Sequence, residues 1–396
     1  LKQVAREYKE QGIKYAEIAC VNWLDNPQKL EIIHRTMHEI ENDPEFSGLT
    51  MRFQMGIPRG FSDVQIQNAL ERAKVVTASP YIVAVNFLGH EVTKTKSFKD
   101  SLHNFCAWAN EHRPGLTIAV HAGENAKNPG NVEEVIDLGL EFENLNFAIG
   151  HGLYGLTRSA IKKAQKMCTD KEHPRLRIES NPDSVLALNN IDDFNEIPFT
   201  PMVKAGLPFV LGSDSAGTYG TTAEQLGLAA YHGGLREDGF ALLKENQRIL
   251  MRNQIEYSNQ LAAAVQDWET LEGKMAFVQK LVNELKQIHP KSEPRNAPSP
   301  SREEIRETLG KQEVQLVNGT PAETRMGRRR TPVGRRGTPV RVGGWIVIDS
   351  PKLDRLLGQP DLARLVGRLA QRIASGKDLS GRVVLHNASL DERSAV

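Results

Sequence analysis

Seven short apolar runs constrain this chain more than any other feature. They are Tyr15–Ala19, Thr50–Met55, Ile82–Phe87, Thr117–Val120, Phe147–Ile149, Leu176–Ile178 and Phe209–Leu211. Each is rich in Val, Ile, Leu or Phe with little alternation, which predicts strands buried on both faces. Helical patterns such as "DVQIQNALERAKVV" and "FKDSLHNFCAWANEH" lie between them. Seven consecutive βα steps predict an α/β fold, a parallel sheet rolled into a (β/α)8 TIM-type barrel, with one of the eight strands missing from the text. Several runs end on polar residues: Gly89 and His90, His121, His151, Asn181 and Asp214. A barrel carries its active site on that strand-end edge. An open doubly wound sheet would instead gather function at one or two switch-point loops.

Composition narrows the partners. The 396 residues carry a net charge of +1, so no global field draws the molecule to nucleic acid or to a membrane surface. No apolar run reaches the roughly 18 residues of a membrane span. Cys20, Cys106 and Cys168 form no CxxC spacing and point to neither a disulfide framework nor a thiolate metal site. A reducing cytoplasm is the expected compartment. The amphipathic opening "LKQVAREYKEQG" has no signal-peptide character and no initiator Met, so an upstream segment is expected.

The expected organisation is a barrel over 1–270, a peripheral helix over 271–295, a Pro/Arg-rich linker over 296–344 and a small α/β module over 345–396. Arg325 to Gly344 holds seven arginines and no acid. Such a run can neutralise phosphates of nucleic acid or of a nucleotide. It more often serves as a solvated linker or assembly contact, the favoured reading here.

The strand-end residues share one chemical logic. A mononuclear hydrolase needs a cation held by imidazole and carboxylate from separate strand ends, an acid for the departing side of the substrate and a base for the water proton. His121, in "LTIAVHAGEN", reads as a metal ligand, and Glu124 lies beside it as the acid. His151, in "FAIGHG", points inward from the next strand. Asp214, in "FVLGSDSAG", reads as the carboxylate ligand.

"HAGE", "IGHG", "ESNPDS" and "LGSDSAGTYG", in this order at successive strand ends, resemble the adenosine/AMP deaminase family of metal-dependent hydrolases over about Leu1 to Asn259. The resemblance implies one Zn2+ per subunit, with His121 and Asp214 as ligands. It implies Glu124 as the acid that protonates the purine ring nitrogen and His151 as the group that orients and deprotonates the attacking water. It also implies that the Gly89 backbone N–H contacts the purine and that Ser215 faces the pocket. The implied reaction is hydrolytic loss of ammonia from C6 of a purine nucleoside or nucleotide.

Three departures stand out. No HxH pair, which the family carries on its first strand, occurs in the sequence, and an upstream segment is expected to hold it. The family's tandem Asp-Asp is Asp214-Ser215 here, and His90 stands where the family has Asp. The long tail is similar to that of the deaminase subunit of a bacterial anti-phage system, which implies a homo-oligomer.

Blander readings compete. Gly89 can serve turn geometry alone, Ser215 can cap the next turn, and Asn181 can cap the following segment. His34, His38, His103, His112, His173 and His232 show no partners in the pattern and read as surface residues. The alternatives to catalysis are a deaminase-like scaffold without turnover and a nucleic-acid binder acting through Arg325–Arg341.

Overall fold

The computed structural model describes residues 1–288 apart from 90, 92–93, 189 and 215–220. His90, Ser215, the end of the 271–295 helix, the 296–344 linker with its arginines and the 345–396 module lie outside the described residues.

All seven apolar runs form strands: β1 (Tyr15–Val21), β2 (Thr50–Pro58), β3 (Ile82–Leu88), β4 (Thr117–Ala122), β5 (Asn146–His151), β6 (Leu176–Ser180) and β7 (Phe209–Leu211). They pair in strict sequence order, every neighbour parallel. This is the α/β architecture of a TIM-type barrel, seven strands of it. Among the described residues β1 and β7 do not pair with each other. β1 is accordingly only half-buried, whereas β3 is buried over all but its last residue.

Side chains inside the sheet show how far it curls. Arg177 of β6 reaches Glu17 of β1 at 2.6 Å and Glu179 at 2.8 Å. Gln54 of β2 donates to Glu17 at 2.7 Å, and Asn86 of β3 donates to Gln54 at 2.6 Å. Burial opposes the Arg177 charge, but the two carboxylates outweigh it and hold the guanidinium ionised. The sixth strand thus meets the first across the interior.

The helices follow local rules. α1 (Lys2–Glu10) precedes β1. α2 (Pro27–Asn42) starts with Pro at its first turn, and the Asn26 side chain accepts from Lys29 N–H. α3 (Asp63–Val76) opens with a Ser62/Gln65 capping box. α4 (Lys99–His112), α5 (Gly130–Glu141), α6 (Arg158–Lys166), α7 (Pro182–Ala187) and α8 (Phe199–Ala205) fill the other crossovers, and α9 (Ala223–His232) follows β7. The long α10 (Glu237–Ala263) closes the N-terminal end of the sheet. Its Gln254 donates to Thr117 at the start of β4, and its Ser258 donates to Pro80 O just before β3. The opposite edge, where the candidate residues lie, stays clear of that plug.

α11 (Leu271–Gln287) packs on α2 through Val278, Leu281, Val282 and Leu285. Beneath it lies His34 of α2. His34 is not a surface residue: it is 0% exposed. Its Nδ1 meets Leu30 O at 2.9 Å and its Nε2 meets Ser79 Oγ at 2.8 Å. The physical reason is helical spacing, since Leu30, Ile33, His34, Met37 and Ile40 form the buried stripe of α2.

Candidate active site

The turn after β4 is shaped by glycine. Gly123 has φ +75°, and a Cβ there would sit 2.1 Å from Tyr154 O. Only glycine allows that approach. It lets the chain reverse within "HAGE" so that Glu124 returns toward the strand ends. Gly150 of β5 plays a second part: a Cβ on it would lie 2.7 Å from the His121 ring, so its smallness gives that ring its place.

Three side chains meet there. The ligand-type atoms of His121, Glu124 and His151 all lie within 4.8 Å of one another. His151 Nε2 is 3.2 Å from His121 Nδ1 and 3.9 Å from Glu124 Oε1. Glu124 and His151 are 3% and 2% exposed, so bulk water does not screen this group. Burial first, then the neighbouring His151 and the Arg59 guanidinium, push the His121 pKa well below its ordinary value. The imidazole is therefore neutral, with a lone pair available to an electrophile.

Asp214 is not part of that trio. It follows β7 on the same strand-end edge, and its carboxylate accepts from Ser184 Oγ at 2.6 Å. Asn181 links the two places. Its Nδ2 lies 3.4 Å from His151 Nδ1, and a Cβ on Gly212 would come within 2.3 Å of its Oδ1. Asn181 occupies the N-cap position of α7, but its side chain makes no cap hydrogen bond. The capping reading is thus replaced by a contact with His151.

Backbone conformation separates these positions from ordinary core. His151 and Asp214 have φ of +71° and +53°. Non-glycine residues held in the left-handed region are strained, and such strain concentrates at functional sites. Gly89 follows β3 at φ +94°, and among the described residues nothing lies within 4 Å of where a Cβ would stand.

Two residues escaped the sequence reading. Glu91 is 0% exposed, and its carboxylate accepts from the N–H of Gly123 at 3.0 Å and of Asn125 at 2.9 Å. Arg59, 1% exposed, donates to the His121 carbonyl. Burial lowers the Arg59 pKa, opposed by Glu91, Glu124 and Glu134. Neither carries a local signal: Arg59 follows the apolar end of β2, and only the fold brings the partners of Arg59 and Glu91 near.

The donor set suits a divalent ion of borderline softness. Two imidazole nitrogens and a carboxylate converge in a buried recess, with a second carboxylate on the same edge. The facing nitrogens of His121 and His151 also need a proton or a cation between them, because two lone pairs at 3.2 Å repel.

The model of the family described as "Adenosine deaminase" matches residues 2–268. The chain is 27% identical over 256 residues to an aminodeoxyfutalosine deaminase of Streptomyces coelicolor, covering 62% of this chain and 60% of that protein. It thus spans about 60% of the length of this curated relative. Among solved structures it is similar to the N6-methyl-AMP deaminase from Arabidopsis thaliana, at 16% identity and a TM-score of 0.47, over 66% of this chain and 77% of that one. It is also similar to an adenine deaminase from Arthrobacter aurescens, at 16% identity and a TM-score of 0.46, over 72% and 78%. Since the family model covers the seven strands and every described candidate residue, the chain belongs to the adenosine deaminase family.

Proposed function

We propose that this chain is a zinc-dependent hydrolase that removes the exocyclic amino group of a 6-aminopurine nucleoside or nucleotide. Water enters, ammonia leaves, and the product carries a 6-oxo group. The observation that carries the reading is the convergence of half-buried His121 with buried Glu124 and His151 at the ends of β4 and β5. Family membership, and a curated relative named as a deaminase, support the same reaction class.

His121 and Asp214 would hold the ion, which when bound supplies the positive charge that acidifies water at neutral pH. The remaining steps belong to the chain. Glu124 carries a proton to the ring nitrogen next to the reacting carbon, so that the developing negative charge is quenched as the carbon becomes tetrahedral. His151 accepts the proton of the attacking water on Nε2, the nitrogen that faces His121 and Glu124. Asn181 keeps that ring oriented through Nδ1. Gly89, with no described residue within 4 Å of where its Cβ would stand, can offer its N–H to the purine edge. Ser215 is proposed as a second pocket residue.

The test uses full-length protein on adenosine, AMP, ATP, dATP and RNA, followed by the ultraviolet change from adenine to hypoxanthine, with and without chelator. Chelator-sensitive turnover of at least one substrate is expected. No turnover by protein loaded with zinc would overturn the proposal in favour of the scaffold reading.

A further inference from the structure

Glu91 is a buried carboxylate that the proposed chemistry does not use. Three donors converge on it. Its Oε1 accepts from Gly123 N–H at 3.0 Å and from Asn131 Nδ2 at 2.5 Å, and its Oε2 accepts from Asn125 N–H at 2.9 Å. Gly123 and Asn125 are the two neighbours of Glu124. The two oxygens therefore bracket the backbone of Glu124 from both sides, and taking one amide on each oxygen fixes the plane of the bracket.

The same residue also touches the Glu124 side chain. The Glu91 backbone N–H donates to Glu124 Oε2 at 3.3 Å, while Glu124 Oε1 is the oxygen 3.9 Å from His151 Nε2. One oxygen is anchored and the other is presented to the site. The bracket is itself braced. Asn128 donates to Glu91 O at 3.0 Å, and Asn131 Oδ1 accepts from Thr95 N–H at 3.0 Å. Arg59 donates to Thr95 Oγ1 at 3.4 Å and to the carbonyl of His121, at the other end of the turn. The turn between His121 and Glu124 is gripped at each end by a buried charge of opposite sign.

We propose that Glu91 is the positioning residue for Glu124, setting the direction of the carboxyl that carries the proton. This rests on the reading of Glu124 as the proton carrier. Purely structural burial would be served as well by a neutral side chain. A Gln at this place would turn an NH2 group toward one of the two amide N–H groups and break the bracket on that side.

The test compares full-length wild type with Glu91→Gln and Glu91→Asp, each loaded with zinc. Glu91→Gln should lower kcat about 10- to 100-fold, with KM within about twofold and zinc content unchanged, the size expected when a residue that orients a site group is lost. Glu91→Asp keeps two acceptor oxygens and should recover part of that loss. Amide hydrogen exchange of residues 122–125 should accelerate in Glu91→Gln and slow again in Glu91→Asp. Should Glu91→Gln fail to fold, Asn131→Ala removes the third donor and should shift kcat and exchange in the same direction by less. Wild-type kcat in the folded Gln variant, a loss explained by missing zinc, or unchanged exchange would each overturn the proposal. A wild type without turnover would defeat the deaminase reading, and the exchange measurement would still decide the bracket.

Discussion

The barrel holds two clusters of buried titratable groups, and they are built on opposite principles. Around His34, every polar atom has a partner that suits it. The ring donates from Nδ1 to Leu30 O, accepts on Nε2 from Ser79 Oγ, and packs edge-on to Tyr81 and Trp268. Nearby, Lys274 pairs with Glu41 at 2.8 Å over the same two aromatic faces. Around His121, the two imidazoles face each other at 3.2 Å with a carboxylate alongside, and one of the residues is held at positive φ. The first cluster is satisfied and stabilises the fold. The second turns two ring nitrogens and a carboxylate oxygen toward one another, an arrangement that an ion or a substrate would complete.

The sharpest way to break this contrast is to exchange the losses. His121→Ala should remove zinc and turnover to background while costing much less stability than the loss of His34, because the His121 ring nitrogen bonds the other imidazole of the site and not the surrounding fold. His34→Ala should do the reverse. It leaves a cavity and takes from the buried Ser79 hydroxyl its acceptor, costing about 2–5 kcal/mol of stability. Zinc content and kcat of the folded protein should stay near wild type. Metal analysis, steady-state kinetics and denaturant unfolding on both variants check the pair. Equal losses of stability would erase the distinction.

Next in size is Glu124→Gln. The amide keeps the shape and the hydrogen bond from the Glu91 backbone but cannot carry the proton. We expect kcat to fall about 100- to 10,000-fold with zinc retained. A variant that also loses zinc would make Glu124 a ligand, which its place in the trio of converging donors would accommodate.

The His34 cluster has a signature in pH. Burial lowers its pKa from the ordinary 6.5 to about 4. Below pH 6.5 the unfolded chain therefore takes up a proton that the folded chain refuses until about pH 4. Stability is full above that window and falls through it as acid is added, by about 3 kcal/mol in all. His34→Leu should flatten this part of the profile, read as denaturant midpoint against pH. An unchanged acid slope would assign it to another group.

How much of this was legible in the sequence differs between the two clusters. The strands could be found because a doubly covered strand leaves an uninterrupted apolar run, as Ile82–Phe87 does. His121, Glu124 and His151 could be singled out because each stands at or just past such a run. Glu91 and Arg59 could not, since their partners lie 32 and 62 positions away and only the closure of the sheet brings them together. His34 was misread although its signal was local. It falls at the fourth place after Leu30 and the third before Met37, on the apolar stripe, and a polar residue on such a stripe should be asked for its partners.

The smallest expected effect tests how far the second cluster depends on orientation. Asn181 reaches His151 Nδ1 at 3.4 Å, a long hydrogen bond and hence a weak one. For Nε2 to take the proton of the attacking water, the neutral ring must carry its own proton on Nδ1, which is held there when the Asn181 amide turns its oxygen toward that nitrogen. Asn181→Ala removes that preference without adding charge, and Gly212, whose approach Asn181 limits, gains room. We expect kcat to fall by a factor of about 2–10, below the Glu91 effect, because the positive φ of His151 still directs the ring. Nitrogen NMR of the His151 ring separates the causes: a tautomer that moves to Nε2–H ties the loss to the hydrogen bond. A loss of activity with the tautomer unchanged would instead place the role of Asn181 in spacing the β7 loop, and would shift the orienting of His151 entirely onto its own backbone.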